Sequence, residues 1–236
     1  MTQTKANNGW MPAIAAGTVG ALLASGITLM AAPKLMGERI VREALTEHPE
    51  LLMEAGEALK SKQYAQALAP IRAALERPFY SSWKGATNPK VTMTYFYDYN
   101  CGYCRMSNPD IERLIKENPD LRVVYRELPI LGPESVEAAR VALAASKAGR
   151  FAQFHDTLYS IGRPTSDAIA KAAAAAGVPP TSDNDPVQEA ELNNNLTIAS
   201  QLGATGTPLF VIGDEVHNAA VGYDVLSKAV KAARKS

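Results

Sequence analysis

The two cysteines of the chain, Cys101 and Cys104, are separated by two residues and are the side chains best suited to covalent chemistry. Thiols at this spacing can close a small disulfide ring and exchange it with the thiols of another molecule. Residues 91–97 are apolar and β-favouring, which predicts a buried strand, and residues 105–117 have the pattern of a helix. Unpaired backbone N–H groups and the helix dipole stabilise an anion at a helix start. We therefore expect Cys101 to ionise readily and Cys104 to act as its resolving partner.

Other uses of a Cys-x-x-Cys pair fit this chain less well. A structural zinc site needs four ligands, and the three histidines, His48, His155 and His217, lie singly and far from the pair. Covalent haem attachment needs a histidine directly after the second cysteine, where this chain has Arg105. An inert structural disulfide stays open as an alternative, although so small a ring constrains the unfolded chain little. We predict redox chemistry at the pair, without a metal ion or a cofactor.

The composition is that of a globular protein with no electrostatic preference for a polyanion. The 236 residues suit one main domain with appendages, and a hydrophobic content of 47% is enough for a packed core. Lysine plus arginine equals aspartate plus glutamate, at 24 each. We expect no nucleic-acid partner, because nothing in the overall charge would attract one.

The first segment, residues 1–34, has the features of a membrane-targeting sequence. No charged residue occurs between Lys5 and Lys34, and residues 10–32 are apolar or small over about the length that crosses a bilayer as a helix. A cleaved signal peptide and an uncleaved anchor both agree with this pattern. We favour the anchor, since the apolar run is longer than a usual signal core and its candidate cleavage sites are poor. Either alternative would export the chain, and exported compartments are where disulfides form.

Residues 35–79 are predicted to form a helical extension. Apolar side chains recur at helical spacing on both sides of an interruption near Pro49, and a third helix is expected from about Gln63 to Glu76. These apolar faces could pack on the following domain or on further copies of the chain, and both alternatives stay open. Residues 79–89, rich in serine, glycine and proline, are predicted to be a linker.

The main domain, residues 88–236, contains both strands and helices. A second strand at residues 121–128 follows the redox helix, and a strand, a helix and a strand in series predict a parallel pair joined by a right-handed crossover. Residues 132–203 carry helical periodicity throughout, which predicts an all-helical insertion between two strands of one sheet. Strand character returns at residues 207–213, before a short partner strand at residues 216–221 and a closing amphipathic helix.

Three separated motifs resemble those of DsbA-like thiol-disulfide oxidoreductases of bacteria. They are Phe-Tyr-Asp-Tyr-Asn-Cys-Gly-Tyr-Cys at residues 96–104, Arg-Glu-Leu-Pro-Ile-Leu-Gly-Pro-Glu-Ser at 126–135 and Gly-Thr-Pro-Leu-Phe-Val at 206–211. The resemblance spans residues 91–236. It implies an α/β, thioredoxin-like fold with an inserted all-helical subdomain, here preceded by the helical extension and a hydrophobic amino-terminal helix. Glu-His-Pro-Glu at residues 47–50 also resembles the amino-terminal extension of one branch, whose members can be oxidases or oligomeric isomerases.

The resemblance implies a role for each matched position. Cys101 would be the exposed nucleophile and Cys104 the resolving thiol. The positions that face the substrate or tune the thiolate would be Gly102, Tyr103, Thr207 and Pro208. The last two would form a cis-proline turn that faces the disulfide and binds an extended substrate peptide as an added strand.

One position departs from the family pattern. Many relatives have a buried acid six residues before the first cysteine, thought to help move the proton of the resolving thiol, and Tyr95 stands there in this chain. Glu127 on the neighbouring strand is an alternative acid, but we expect it to be partly exposed and structural. Asp98 and Asn100 are expected to shape the turn before the redox helix.

Together these features predict a thiol-disulfide oxidoreductase that introduces disulfide bonds into exported proteins. Its expected partners are cysteine-containing exported proteins, a membrane redox protein that recycles the pair and, as a hypothesis, further copies of the chain bound through residues 35–79. The expected location is the periplasm or another exported compartment, with the chain tethered to the inner membrane by residues 10–32 or released after signal cleavage. Two alternatives stay open: a disulfide isomerase or reductase, and a non-catalytic binding module.

Overall fold

The computed structural model of the protein describes residues 37–180 and 185–234. The predicted anchor at residues 10–32 lies outside these ranges, so it stays a prediction. Within the described ranges, no helix is both long and apolar enough to span a membrane. The chain divides into two compact units, Met1–Ala58 and Leu59–Ser236.

The described part of the first unit is helical. Helix α1 occupies residues 37–47 and helix α2 is Glu50–Leu68, so the predicted interruption at Pro49 is confirmed. Large apolar side chains of this unit are exposed to solvent, and they include Ile40, Val41, Leu51, Leu52 and Met53.

Helix α2 is longer than predicted. It passes through Gln63, where a third helix was expected to begin, because residues 57–68 contain neither proline nor glycine. The break falls instead at Pro70, which has no N–H to continue the helical hydrogen bonding. The third helix, α3, is therefore only Arg72–Glu76.

In the part of the chain that the structure describes, five strands form one sheet. They are β1 Trp83–Gly85, β2 Val91–Tyr97, β3 Leu121–Glu127, β4 Leu209–Ile212 and β5 Glu215–His217. Their order across the sheet is β1-β3-β2-β4-β5, and helix α4, Gly102–Glu117, joins β2 to β3. The β2–β3 pair is parallel, as predicted, and the other pairs are antiparallel. The central strand β2 is almost fully buried, which explains why it is nearly a continuous run of apolar and β-favouring residues.

The edge strand β1 lies in the segment predicted to be a linker. It pairs antiparallel with β3, so part of residues 79–89 belongs to the sheet. Gly85 has φ of +97°, and a Cβ at this position would lie 2.3 Å from the carbonyl oxygen of Leu121. Glycine is therefore required here by the close approach of two backbones, although its presence had contributed to the prediction of a linker.

The all-helical insertion is confirmed. Its described residues, 132–180 and 185–203, form four helices: α5 Pro133–Lys147, α6 Phe151–Ile161, α7 Ser166–Ala176 and α8 Pro186–Gln201. The side chains of Thr165 and Asp185 accept backbone N–H groups at the starts of α7 and α8. The closing helix α9 is Gly222–Ala233, and it follows a strand β5 that ends at His217 and not at the predicted residue 221.

Aromatic side chains fill the space between the sheet and the insertion. The rings of Tyr95 and Tyr97 stack at a centroid distance of 5.3 Å, and Tyr99 packs edge-on against Tyr97 at 5.2 Å. From α6, the rings of His155 and Tyr159 lie against Tyr97 and Tyr99. The carboxyl end of β2 and the start of α4 therefore rest on a tightly packed aromatic layer.

Candidate active site

Cys101 is the N-cap residue of α4, as predicted. Its backbone is extended, with φ of −80° and ψ of 117°, and its sulfur accepts the N–H of Cys104 at 3.4 Å. The 16-residue helix that begins at the next residue directs its first amides and its dipole towards this sulfur. Both thiols are free, Cys104 is completely buried, and Cys101 is only 6% exposed. Cys101 is thus less exposed than the family resemblance implies, because the turn at Thr207 lies against it.

The two thiols of the pair have pKa values that move in opposite directions. The pKa of Cys101 is lowered to about 5, chiefly because the Cys104 thiol donates to its sulfur, and burial only partly opposes this. Thr207 and the backbone N–H groups of Tyr103 and Cys104 lower it further. The pKa of Cys104 is raised, first by burial and then by its hydrogen bond to Cys101. At neutral pH the reduced pair therefore holds one thiolate, at Cys101, and one thiol, at Cys104.

The Thr207-Pro208 turn faces the redox pair. The peptide bond between these residues is cis, as the family resemblance implies. The carbonyl oxygen of Thr207 lies 3.2 Å from the Cys101 sulfur, and it accepts the thiol proton when Cys101 is protonated. The hydroxyl group of Thr207 is buried and makes no hydrogen bond of normal geometry among the described residues.

An exposed apolar rim surrounds the start of α4. Tyr103, inside the Cys-x-x-Cys motif, is 65% exposed, and Gly102 beside it is also open to solvent. The other large exposed apolar side chains of this region are Met106 on α4 and the pair Ile130 and Leu131 after β3. Exposed apolar side chains that cluster on a folded domain are typical of a surface that binds another molecule.

Asp98 holds this rim against the redox turn. One of its carboxylate oxygens accepts the N–H of Asn100 at 2.8 Å, which confirms its expected role in the turn. The other oxygen accepts the N–H groups of Ile130 and Leu131 at 2.9 and 3.0 Å. The sequence offered no signal for this second role, because the bond joins two loops about 30 residues apart.

Glu127 is buried and not partly exposed, so this prediction is wrong. The residue is 2% exposed and its carboxyl group accepts a hydrogen bond from the hydroxyl of Tyr97. Burial raises its pKa well above the ordinary value. The alternation of polar and apolar residues in β3 had suggested a solvent-facing acid, but α8 covers this end of the strand, where the Asn195 side chain donates to the Glu127 carbonyl.

Tyr95 occupies the position where the family pattern has a buried acid. It is fully buried, and burial raises the pKa of its hydroxyl far above neutrality. That hydroxyl donates to the carbonyl oxygen of Cys104 at 3.3 Å, and the ring stacks on Phe210 of β4 at a centroid distance of 4.9 Å. Tyr95 therefore fixes the first turn of α4 on the sheet.

Comparison with protein families identifies two segments of the chain. Residues 92–231 match the DsbA-like thioredoxin domain, and residues 38–66 match the N-terminal domain of the copper resistance protein ScsC. The first match covers more than half of the chain. The chain belongs to the DsbA-like thioredoxin domain family. Its thioredoxin-like fold and its class, the thiol-disulfide oxidoreductases, are thereby confirmed.

Solved structures of other DsbA-like proteins agree with this assignment. A periplasmic thioredoxin-like protein of Salmonella enterica serovar Typhimurium is 36% identical, with a TM-score of 0.66, over 71% of this chain and 98% of that one. ScsC of Proteus mirabilis in a transitional conformation is 32% identical, with a TM-score of 0.67, over 87% and 96%. The thiol-disulfide exchange protein alpha-DsbA2 of Wolbachia pipientis is 27% identical, with a TM-score of 0.67, over 74% and 97%.

The curated relatives that the chain matches are longer proteins. They are the Na⁺/H⁺ antiporter NhaA 3 of Salinispora tropica and NhaA 1 of Salinispora arenicola, 26% and 28% identical over 163 residues. The match covers 64% of this chain and 24% of each relative, so the chain spans about a quarter of their length.

Proposed function

We propose that this DsbA-like protein introduces disulfide bonds into exported proteins through Cys101 and Cys104. The observation that carries the proposal is the Cys101 sulfur at the start of α4, where the pKa is lowered to about 5. A thiolate that is stable at neutral pH is a good leaving group. Its stability also lowers the free energy of the reduced pair relative to that of the disulfide. A disulfide whose reduced form is stabilised in this way is a strong oxidant.

The exchange takes place in two steps. A substrate thiolate attacks the Cys101 sulfur, the Cys101–Cys104 bond breaks, and its electron pair stays on the sulfur of Cys104. A second substrate thiolate then attacks the substrate sulfur of the mixed disulfide and expels the Cys101 thiolate. The substrate leaves with a new disulfide and the pair is left reduced. A membrane redox partner that accepts two electrons would restore the disulfide.

The surface around the pair supports the binding of an unfolded polypeptide. The Thr207-Pro208 turn stands beside the reactive sulfur, where its backbone can bind an extended peptide as an added strand. Gly102 and Tyr103 are open to solvent next to it, and the exposed apolar rim offers contacts for apolar side chains that a folded protein would bury. We assign substrate binding to this surface.

We propose an exported, periplasmic location, with residues 10–32 as a tether to the inner membrane. The Salmonella relative is a periplasmic protein, and exported compartments favour disulfide formation. Fractionation of cells that produce the full chain tests the tether. Recovery in the soluble periplasmic fraction, with a mature amino terminus beyond residue 32, would support cleavage instead.

The redox state of the pair in cells tests the oxidase proposal. Rapid acid quenching followed by thiol alkylation should find Cys101 and Cys104 mainly in the disulfide form. The purified protein should reoxidise a reduced multi-disulfide substrate, and the Cys101→Ala variant should not. A pair that is held reduced in cells would contradict the proposal and favour an isomerase or a reductase.

A second candidate function is an oligomeric disulfide isomerase. The observation that favours it is the unpartnered apolar surface of α1 and α2, where Leu52 and Met53 are 66% and 71% exposed within the described ranges. This segment also matches the ScsC N-terminal domain. Analytical ultracentrifugation of the full chain should then show an oligomer that Leu52→Glu dissociates and the control Lys62→Glu leaves intact. A monomeric wild-type chain would eliminate this candidate.

A further inference from the structure

The Asp98 side chain extends the pairing of β2 and β3 beyond the ends of both strands. After the last paired residues, the N–H of Leu128 bonds the Tyr97 carbonyl oxygen at 2.8 Å, and the next residue of the chain is a proline, which has no N–H. The two N–H groups that follow, those of Ile130 and Leu131, both donate to one carboxylate oxygen of Asp98. A side chain, and not a backbone carbonyl, therefore fixes the loop that carries these two residues.

The backbone of Asp98 bonds the redox pair. Its carbonyl oxygen accepts the N–H of Cys101 at 3.1 Å and the hydroxyl of Tyr159 at 3.3 Å. A backbone hydrogen bond from Asp98 to the Cys104 sulfur lowers the pKa of that thiol, although burial outweighs this effect. Asp98 is therefore bonded to the loop through its side chain and to both cysteines through its backbone.

A further contact places the loop next to the reactive turn. Asn100, which directly precedes Cys101, donates its side-chain amide to the carbonyl oxygen of Leu131 at 3.4 Å. The backbone N–H of Asn100 in turn donates to the Asp98 carboxylate. The same two residues thus bond both the loop and the turn that carries Cys101, which fixes the position of one relative to the other.

This arrangement opposes the usual distribution of polar and apolar groups. Asp98 is buried, and a buried carboxylate destabilises a fold unless hydrogen bonds compensate, here from three backbone N–H groups. The apolar side chains of Ile130 and Leu131 are 43% and 47% exposed, although burial would stabilise them. Departures of this kind from the pattern of a stable fold are typical of functional sites. They indicate that the exposed apolar pair is kept for contact with another molecule.

We propose that Asp98 is a positioning residue that makes the protein prefer cysteines with apolar neighbours, because it fixes Ile130 and Leu131 beside Cys101. The inference rests on the disulfide exchange proposed above and names its substrate class, extended peptides in which an apolar side chain flanks the reactive cysteine. Such a side chain, packed on Ile130 and Leu131, holds the neighbouring thiol near the Cys101 sulfur, and this positioning accelerates the exchange. A small dithiol that does not contact the loop gains nothing from it.

The test compares the rates at which three dithiols reduce the oxidised full chain. Two are peptides that differ only in having leucine or serine beside the more reactive cysteine, and the third is dithiothreitol. The wild-type chain should react about 10-fold faster with the leucine peptide, the low end of the discrimination that an apolar contact provides. The ratio of the two peptide rates is the readout, because a general loss of stability or of pair reactivity would slow both peptides alike.

Asp98→Ala removes the acceptor of the loop and keeps the backbone groups of residue 98. The peptide ratio should fall towards equality, while the rate with dithiothreitol should stay close to that of the wild type and the alkylation pKa of Cys101 should stay near 5. Asp120→Ala is the matched control, since Asp120 precedes β3 at the opposite end of the strand and its carboxylate also bonds a distant segment, at Arg234. The control should keep the wild-type ratio.

A double substitution tests whether Asp98 acts through the loop. Leu131→Ser alone should lower the peptide ratio, and the addition of Asp98→Ala should lower it no further than the larger single effect, because both changes act on one contact. Additive effects would contradict the inference. If Asp98→Ala does not fold, Asp98→Asn takes its place, with the same expected fall, because one amide oxygen cannot accept the N–H groups of both the loop and the turn.

The outcomes separate this inference from the proposed function. A wild-type peptide ratio in the folded Asp98 variant would overturn the inference, as would an equal fall in Asp120→Ala. Equal rates of the wild-type chain with the two peptides would also overturn it, and would leave the proposed function intact. A wild-type chain that exchanges disulfides with none of the three dithiols would overturn the proposed function itself.

Discussion

Cys101 and Cys104 are the same residue type in adjacent positions, and only their surroundings make them different. Cys101 lies at a helix start, where N–H groups and the second thiol all donate towards its sulfur. Cys104 lies one turn on, against the aromatic layer, with no exposure to solvent. The first setting favours the charged form of a thiol and the second favours the neutral form. This difference supports the proposed roles of Cys101 as the nucleophile and Cys104 as the resolving thiol.

The Cys104 thiol is the largest cause of the low pKa of Cys101, and this can be tested by substitution. The rate of alkylation of the reduced protein by iodoacetamide should rise with pH around a midpoint near 5. Cys104→Ala removes the donor and should move the midpoint upward. Cys104→Ser keeps a donor in place and should move it much less. Equal midpoints in the Ala and Ser variants would contradict this assignment of the cause.

The lowered pKa also predicts how the stability of the reduced protein depends on pH. The folded Cys101 has a pKa of about 5, against about 8.5 for an unfolded cysteine. A group whose pKa is lower in the folded state than in the unfolded state stabilises the fold when it is ionised. This stabilisation is complete above the pKa of the unfolded state and is lost as the pH falls through the pKa of the folded state. The reduced protein should therefore gain stability relative to the oxidised protein as the pH rises from 5 to 8. Urea unfolding at several pH values measures the difference, and reduced Cys101→Ser should show no such gain.

At the scale of elements, the edge strand β1 depends on one glycine. Gly85 combines a positive φ with a backbone contact to Leu121 that leaves no room for a Cβ. The strand has only three residues and its neighbours are typical of a loop, so the pairing partner decides its structure. Lys84 on the same strand reaches Glu112 on α4 and Asp156 on α6, which ties the edge of the sheet to both helices.

Substitution of Gly85 separates the cost of the backbone clash from the cost of the positive φ. Gly85→Ala should lower the free energy of unfolding by ~3 kcal/mol, because a strained φ and a backbone clash add together. Gly149→Ala is the matched control, since Gly149 also has a positive φ, of +72°, but open space around its Cβ position. It should cost only ~1–2 kcal/mol, the cost of a left-handed conformation. Chemical denaturation measures both, and equal losses would show that the clash is relieved by movement of the strand.

At the scale of the whole molecule, Arg126 joins three parts of the second unit, Leu59–Ser236. The residue lies on β3 and is 4% exposed. Its guanidinium group donates to the Glu191 carboxylate at 2.9 Å and to the Asn195 amide oxygen at 2.7 Å, both on α8. It also donates to carbonyl oxygens at the end of α3, those of Ala74, Leu75 and Arg77. The Arg126 side chain thus provides hydrogen-bond donors for the carbonyl oxygens at the end of α3, and it also fixes the insertion to the sheet.

Loss of the Arg126 guanidinium should destabilise the fold without changing the chemistry of the redox pair. Arg126→Leu leaves the half-buried Glu191 carboxylate and several carbonyl oxygens without their partner, and it should cost ~3 kcal/mol. Arg113→Leu is the control, because the Arg113–Glu117 ion pair is exposed and should be worth less than ~1 kcal/mol. Thermal and urea unfolding give the loss. The alkylation midpoint of Cys101 should stay near pH 5 in both variants, and a shift would mean that the second unit had rearranged.

Local patterns in the sequence were sufficient to predict much of the fold of this protein. The strand–Cys-x-x-Cys–helix junction, the parallel β2–β3 pair and the four-helix insertion all depend on periodicity, breakers and helix starts, which act over a few residues. Long helices and a buried central strand carry these signals strongly. The position of Cys101 at a helix start, and hence its tendency to ionise, follows from the same local pattern.

The features that could not be predicted from the sequence depend on contacts between segments that are far apart in the chain. The burial of Glu127 under α8, the pairing of β1 across a glycine and the bonds from Asp98 to Ile130 and Leu131 join residues far apart in the chain. No local pattern marks them, because burial of a polar group depends on which element covers it. The main cause of the low pKa of Cys101 was likewise not predicted from the sequence. A helix start predicts that an anion is stabilised there, but the hydrogen bond from the Cys104 thiol to the Cys101 sulfur depends on how the first turn folds.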